Sequence, residues 1–354
     1  MNKQLEQFPP RKIINSLAPI RICDNGGWTD TWFAKYGKVF NIAVSPYAEV
    51  QMAVYRAEDV EDRIVICAEN YGDSYVWHSG SKEWYRHPLL EAAIERLGVP
   101  KDVAIRVHVF CQAPSGASVG TSAAVSVALV GALERLNGRQ ISPYPVAYVA
   151  QSLETEMLKQ QCGIQDQLCS AFGGINFIEI TSYPQAIVTP LEISDELWWE
   201  IERRLVLIYL GAAHRSSDVH DKVIRTLQEI GPTARVLQLL RSTAQAARDA
   251  LLAGDLVAFG ETMVSNTEAQ RELHPDLVNE DADGVIGVAK RFNALGWKVN
   301  GAGGEGGSVT ILCGRMGSDK RAMLKAIQEE NPCYQNIPIS ISRYGLRVWE
   351  EQVC

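Results

Sequence analysis

Pro114-Ser115-Gly116-Ala117-Ser118-Val119-Gly120-Thr121-Ser122-Ala123-Ala124 lies between two segments of different periodicity. Upstream, Val103 to Cys111 alternates. Val103, Ile105, Val107 and Val109 share one face, and Arg106 and His108 the other, which predicts a strand. Downstream, Thr121 to Leu136 is strongly apolar and stops at Asn137-Gly138, which predicts a helix. The first N–H groups of such a helix have no acceptor within it and lie at the positive end of its dipole. Small residues let a phosphate reach them, so the loop is a candidate anion site. Thr121 and Ser122 are expected to cap the helix and to offer hydroxyls to a phosphate-bound Mg²⁺. The Gly-Lys-Ser/Thr of a Walker A loop is missing. A capped strand-to-helix turn without a ligand would read the same way.

Outward from this loop, Ile13–Ile22 and Lys38–Tyr55 read as strands around the turn-rich Asp24-Asn25-Gly26-Gly27-Trp28-Thr29-Asp30. Pro143 to Lys159 reads as a helix carrying Glu154, followed by a loop, Gly163-Ile164-Gln165-Asp166-Gln167. A carboxylate near that helix end could bind a metal, and one in the loop could take a proton; surface carboxylates are the plainer alternative. The mixed stretch 181–203 reads as a domain boundary. Trp198 and Trp199 read either as core or as interface, the latter of a homodimer. A second glycine loop, Gly301-Ala302-Gly303-Gly304-Glu305-Gly306-Gly307, formally fits G-x-G-x-x-G. A strand, not a helix, follows at Ser308 to Cys313, which excludes a dinucleotide fingerprint. So many glycines point to close approach by a ligand or another backbone, or to a tight hairpin. Ile337 to Ile341 reads as the closing strand.

The 354 residues suffice for two domains. With 42 acidic and 34 basic residues, the net charge of −8 argues against a general nucleic-acid or anionic-membrane binder. The longest nearly apolar run, Ala123 to Leu133, is too short to span a bilayer. Met1 to Lys12 lacks the apolar core of a signal peptide. Eight scattered cysteines with no Cys-x-x-Cys pair read as free thiols of a reducing cytoplasm, the expected location, not as a disulfide scaffold or zinc site.

Taken in order, three segments resemble the motifs of the GHMP kinase superfamily (galacto-, homoserine, mevalonate and phosphomevalonate kinases). They are Ser16-Leu17-Ala18-Pro19-Ile20-Arg21-Ile22 with Gly26 to Asp30, then Pro114 to Ala124, then Gly301 to Gly307. The resemblance covers nearly the whole chain. It implies an α+β fold with a ribosomal protein S5 domain 2-like N-terminal domain over 1–190 and a ferredoxin-like C-terminal domain over 191–354. Within the superfamily, Gln165-Asp166-Gln167 with Gly173 to Glu179, and Arg215-Ser216-Ser217-Asp218-Val219-His220, look like heptose 7-phosphate kinases. Gly26 to Thr31 looks more like L-fucose and L-arabinose kinases.

The resemblance further implies ATP- and Mg²⁺-dependent phosphorylation of a sugar or sugar phosphate, at the anomeric hydroxyl. Pro114, Gly116, Ala117, Ser118, Gly120, Thr121 and Ser122 would wrap the triphosphate. Ser122 and Glu154 would hold Mg²⁺. Asp166 would orient or deprotonate the attacking hydroxyl, and Arg21 would stabilise the transferred phosphoryl group. Asp30, Gly27, Trp28, Gly303 and Gly304 would line the sugar side. Such a set suits phosphoryl transfer, which needs positioning and charge neutralisation more than covalent chemistry. Ser118 and Glu305 depart from the family's usual glycines. A catalytically silent sugar or nucleotide binder, and an ATP-dependent decarboxylase, are the competing readings. His214, Arg215, His220 and Lys222 would form a basic subsite for a distal phosphate, or a solvated helix start.

Overall fold

The computed structural model describes residues 9–80, 84–211, 223–225, 227, 231–302 and 306–353. Gly303, Gly304 and Glu305, and the 214–222 basic cluster, lie outside the described residues.

The elements are β1 (Lys12–Asn25), β2 (Gly37–Arg56), β3 (Ile64–Ala68), β4 (Asp73–Val76), α1 (Pro88–Leu97), β5 (Val103–Cys111), α2 (Thr121–Leu136), α3 (Pro143–Ser152), α4 (Gln165–Phe172), β6 (Ile175–Ser182), β7 (Gln185–Pro190), α5 (Asp195–Arg204), β8 (Leu205–Tyr209), α6 (Arg235–Leu252), α7 (Leu256–Leu273), α8 (Glu280–Arg291), β9 (Gly296–Val299), β10 (Ser308–Leu312), α9 (Gly317–Glu330), β11 (Gln335–Ile337) and β12 (Arg347–Gln352). The first sheet runs β12-β1-β2-β5-β3-β4. The long β2 also pairs its first residues with β6, which continues to β7. The second sheet, β11-β8-β10-β9, has the 4-1-3-2 order of a ferredoxin-like sheet, with every pair antiparallel.

Three cores explain the layers. The inward residues of β1, β2 and β5, among them Ile14, Met52 and Val107, bury against Val127, Leu129 and Leu133 of α2. The far half of the first sheet (Ile22, Phe40, Phe177) and one face of the second (Leu205, Leu207, Leu312) share a core with Phe259 and Met263 of α7. The other face of the second sheet (Val206, Ile208, Val309, Ile311) is covered by α8 and α9. With both faces covered, β8 reads as the uninterrupted apolar run Leu205 to Tyr209.

Several expectations need correction. The stretch 181–203 contains β7 and α5, the latter capped by Ser194, which accepts from Leu197 N–H at 3.3 Å. In it Trp198 is buried and Trp199 is exposed. The helix begun at Pro143 passes into a π-turn at Leu153–Met157. The segment 163–167 is not all loop, because α4 starts at Gln165. Ile337 to Ile341 is not the last strand; Ile341 makes one isolated bridge with Val44, and β12 returns to pair with β1. The second sheet therefore does not carry all of 191–354.

The segment leading to β12 is held by a backbone approach. A Cβ on Gly173, at φ +71°, would lie 2.1 Å from the Gly345 nitrogen. Gly173→Ala is therefore expected to cost about 2 kcal/mol or more of stability, from backbone strain plus a clash that neither main chain can relieve. Chemical denaturation checks this, and an unchanged midpoint would refute it.

Candidate active site

A cleft of about 1160 Å³ opens between the 114–123 loop, α4 and the β1–β2 connection. It is large enough for more than one drug-sized ligand. Arg21, Asp30, Ser118, Gly120, Thr121, Ser122, Glu154 and Asp166 all line it, with Pro114, Gly116, Trp28 and Gly301. Gly27 and Ala117 do not. Gly27 is crowded by Asp24 and Gln165, and Ala117 is fully buried. Trp28 buries most of its ring beside Phe33, Leu237 and Leu240.

The loop's physical signature is the fate of its carbonyls. Pro114 O accepts from Ala117 N–H, Ser115 O from the Tyr209 hydroxyl and Gly116 O from Gly307 N–H. Ala117 O accepts from the Ser308 hydroxyl, Ser118 O from the Arg21 guanidinium and Val119 O from Arg21 N–H. Gly120 O takes the first helical bond, from Ala124 N–H. Every carbonyl from 114 to 120 is thus engaged, while Thr121, Ser122 and Ala123 have N–H groups with no acceptor inside the helix. An anion entering the cleft meets donors and the positive helix end, with the repelling oxygens tied back. Thr121 and Ser122 do not cap α2, contrary to expectation. The N-cap is Gly120 at φ +71°, and the two hydroxyl residues follow it in the first turn. Ser118 sits at φ +56°, a conformation that favours glycine. The second glycine loop joins the antiparallel β9 and β10 as a hairpin and also meets another backbone, through Gly307 on Gly116.

Asp166 occupies the first turn of α4. That helix has no capping side chain of its own at Ile164. Asp30 supplies one from the β1–β2 connection: its Oδ2 accepts from Ile164 N–H at 2.9 Å and Gln165 N–H at 3.1 Å. Only glycine fits at 163, where a Cβ would fall 1.9 Å from that oxygen. Asp166 is gripped by Arg21 through both oxygens, Nε to Oδ1 at 2.8 Å and Nη2 to Oδ2 at 3.1 Å. Arg21 in turn lies 3.9 Å from Asp24, and Asp24 Oδ1 accepts from the wholly buried Lys298 at 3.0 Å. Burial alone would push the Asp24 carboxyl up, but Lys298 and Arg21 outweigh it and hold it below the usual range. Burial likewise opposes the charge on Arg21, yet Asp166 and Asp24 raise its pKa further. A Cβ on Gly120 would lie 3.1 Å from Asp166 Oδ2, so this carboxylate stands against the start of the anion loop.

Glu154 lies in the π-turn and accepts from Gln167 Nε2 at 2.8 Å. Burial pushes it up to about 7, and burial pushes Asp30 up to about 6. The buried Gln167 Oε1 has no hydrogen-bond partner. A carboxylate held back from ionising, an unused amide oxygen and the Ser122 hydroxyl are oxygen donors of the kind Mg²⁺ takes. The residues present therefore fit the ion. Among the described residues no cluster of three His, Cys, Asp or Glu side chains has metal-binding geometry.

Residues 86–174 match the model described as the GHMP kinases N terminal domain. The crystal structure of a D-glycero-D-manno-heptose 1-phosphate kinase from Bacteroides thetaiotaomicron superposes with a TM-score of 0.74 at 22% identity, covering 95% of this chain and 98% of that one. The fold is that of the GHMP kinases. The D-glycero-alpha-D-manno-heptose 7-phosphate kinase of Campylobacter jejuni is 24% identical over 96% of this chain and 99% of its own length. The bifunctional fucokinase/GDP-fucose pyrophosphorylase of Arabidopsis thaliana is 26% identical over 86% of this chain and 30% of its own length.

Sequence reasoning missed several parts of this cleft. Lys298 and Asp24 carry its buried charge pair. Asn70, Tyr71, His87 and Phe110 line its other end, where Asn70 clips the Cys111 main chain from both sides, at 2.8 Å each. Cys162 also lines it; burial and the nearby Glu154, Asp30 and Asp166 push its thiol up. Among the described residues no helix is long and apolar enough to cross a membrane.

Two predictions follow from the charges. Lys298→Met leaves a buried carboxylate short of a partner and should cost about 3–5 kcal/mol, part of which Asp24→Asn recovers in the double variant; denaturant titration of the cycle measures both. The second concerns pH. Asp30 and Glu154 have folded values raised above their unfolded ones, so the folded protein holds these protons longer. Stability should fall as pH rises through the ordinary carboxyl range toward about 6 and about 7 respectively. Glu154→Gln should raise Tm at neutral pH and flatten this slope in melting curves taken without ligands; an unaltered slope would contradict the assignment.

Proposed function

We propose that this chain is a sugar kinase that transfers a phosphoryl group from ATP, with Mg²⁺, to a monosaccharide at its anomeric hydroxyl, the substrate being of the heptose 7-phosphate type. The observation that carries the reading is the juxtaposition of the Arg21–Asp166 pair with a loop whose carbonyls from 114 to 120 are all engaged. The near full-length likeness to the Campylobacter jejuni heptose 7-phosphate kinase supports the substrate class. An L-fucose- or L-arabinose-type substrate is the second reading, favoured by the likeness to the plant fucokinase over 86% of this chain.

In this reading the N–H groups of Thr121, Ser122 and Ala123 hold phosphate oxygens at the start of α2. Both oxygens of Asp166 are fixed by Arg21, yet each keeps a further lone pair, so one can accept the proton of an attacking hydroxyl. Arg21 prevents the carboxylate from rotating and sets positive charge beside the transferred group. Asp30, which lines the cleft, would meet a sugar hydroxyl while its Oδ2 anchors α4. Ser122 and Glu154 would hold Mg²⁺, which when bound supplies charge neutralisation on the phosphates. The 301–302 end of the glycine hairpin forms part of the wall beside Arg21 and Ser118.

An ADP-release screen with heptose 7-phosphate, L-fucose, L-arabinose, galactose and mannose tests the reading. Heptose 7-phosphate should give the highest kcat/KM. Asp166→Asn should lower kcat by about 10²–10⁴-fold with nucleotide binding retained. Nucleotide binding with no sugar turned over would instead favour the silent binder. Arg21→Lys is a better probe than Arg21→Ala, because Arg21 is buried and also ties down the Ser118 and Val119 carbonyls.

A further inference from the structure

The outward face of the first sheet carries a second cluster of reactive side chains that the cleft does not use. β3 and β5 run parallel in a register that sets Cys67 directly opposite His108. β4 sets Ser74 opposite Cys67 on the other side, with Sγ and Oγ 3.3 Å apart. His108 Nδ1 meets Glu69 Oε1 at 2.8 Å. Cys67, His108 and Glu69 thus stand in sequence as thiol, imidazole and carboxylate on one face of β3, β5 and the turn after β3, with Arg106 adding positive charge two residues along β5. His108 and Glu69 side chains are 40% and 48% exposed, so solvent reaches the cluster, while Cys67 itself is 9% exposed.

We propose that Cys67 is a modification site, a thiolate activated by His108 and Glu69 that reacts with small hydroperoxides to give a sulfenic acid. The electrostatics agree. Burial alone would raise the Cys67 pKa, but hydrogen bonds from His108 and Ser74 and the charges of His108 and Arg106 lower it overall. His108 is raised in turn, chiefly by its hydrogen bond to Cys67 and, against burial, by Glu69. Thiolate next to imidazolium is the arrangement that makes a cysteine nucleophilic at neutral pH. In the reaction, Cys67 Sγ attacks the terminal oxygen of ROOH. The S–O bond forms and the O–O bond breaks, sulfur being oxidised and the peroxide reduced. The departing RO⁻ takes the imidazolium proton of His108 and leaves as ROH, so the product is Cys–SOH beside a neutral His108.

Other cysteines among the described residues provide the contrast. Cys23, Cys111, Cys169 and Cys313 are buried and Cys162 is half-buried, all with thiols pushed up by desolvation, and Cys333 is exposed. The test treats the full chain with hydrogen peroxide at neutral pH, traps sulfenic acid with dimedone and maps the adduct by mass spectrometry over time. Cys67 should label first, ahead of the more accessible Cys333. His108→Gln should slow Cys67 labelling about tenfold, and Glu69→Gln should slow it less. Melting curves identify a variant that has not folded, and the other variant then decides. Labelling of Cys333 as fast as Cys67, or a folded His108→Gln that labels at the wild-type rate, would overturn the proposal.

Discussion

Four charged side chains in a row hold the site together: Asp166 on α4, Arg21 and Asp24 on β1, and Lys298 on β9. Each cation is flanked by carboxylate; Arg21, Asp24 and Lys298 are removed from water with their partners in place, while Asp166 keeps a face open to the cleft. Desolvation makes this arrangement costly to break in the middle, since any single loss leaves a buried charge uncompensated. It also has a directional effect. Lys298 anchors Asp24, Asp24 and Asp166 fix Arg21, and Arg21 orients Asp166 and pins the anion loop. The geometry of Asp166 is thereby tied to a strand in the other sheet.

The anion loop depends on the same arrangement. A glycine- and serine-rich turn has no intrinsic reason to present its N–H groups in one direction. Here Tyr209, Gly307 and Ser308 from the second sheet, and Arg21 from the first, pull its carbonyls outward. The loop's shape is thus imposed by both halves of the chain, which explains how Ser118 is kept at a positive φ without being a glycine. Preorganisation of this kind lets backbone dipoles act on a phosphate without rearranging when it arrives.

What was legible in the sequence follows from how local the causes are. The strand–loop–helix at 103–136 declares itself, because alternation, small residues and an apolar run lie within one continuous stretch. The 301–307 segment was legible for the same reason as a glycine-rich link to a following strand, and Gly307 admits the Gly116 main chain. The role proposed for Arg21 was accessible only through the resemblance, since nothing local marks it, whereas for Asp166 the local sequence left a proton-taking carboxylate and a surface carboxylate both open. Lys298 was invisible: it looks like an ordinary strand lysine, and its burial depends on a carboxylate 274 positions away. The start of α4 was missed because its cap, Asp30, is 134 positions upstream of Ile164. β12 escaped for a related reason, being a mostly polar strand defined by pairing with β1 and not by its own periodicity.

That last strand has a consequence for synthesis. Residues 12–17 of β1 find their outer neighbour only in residues 347–352. During translation the first sheet therefore carries an unpaired edge until residues 347–352 have been made, and an open edge is a template for pairing with other chains.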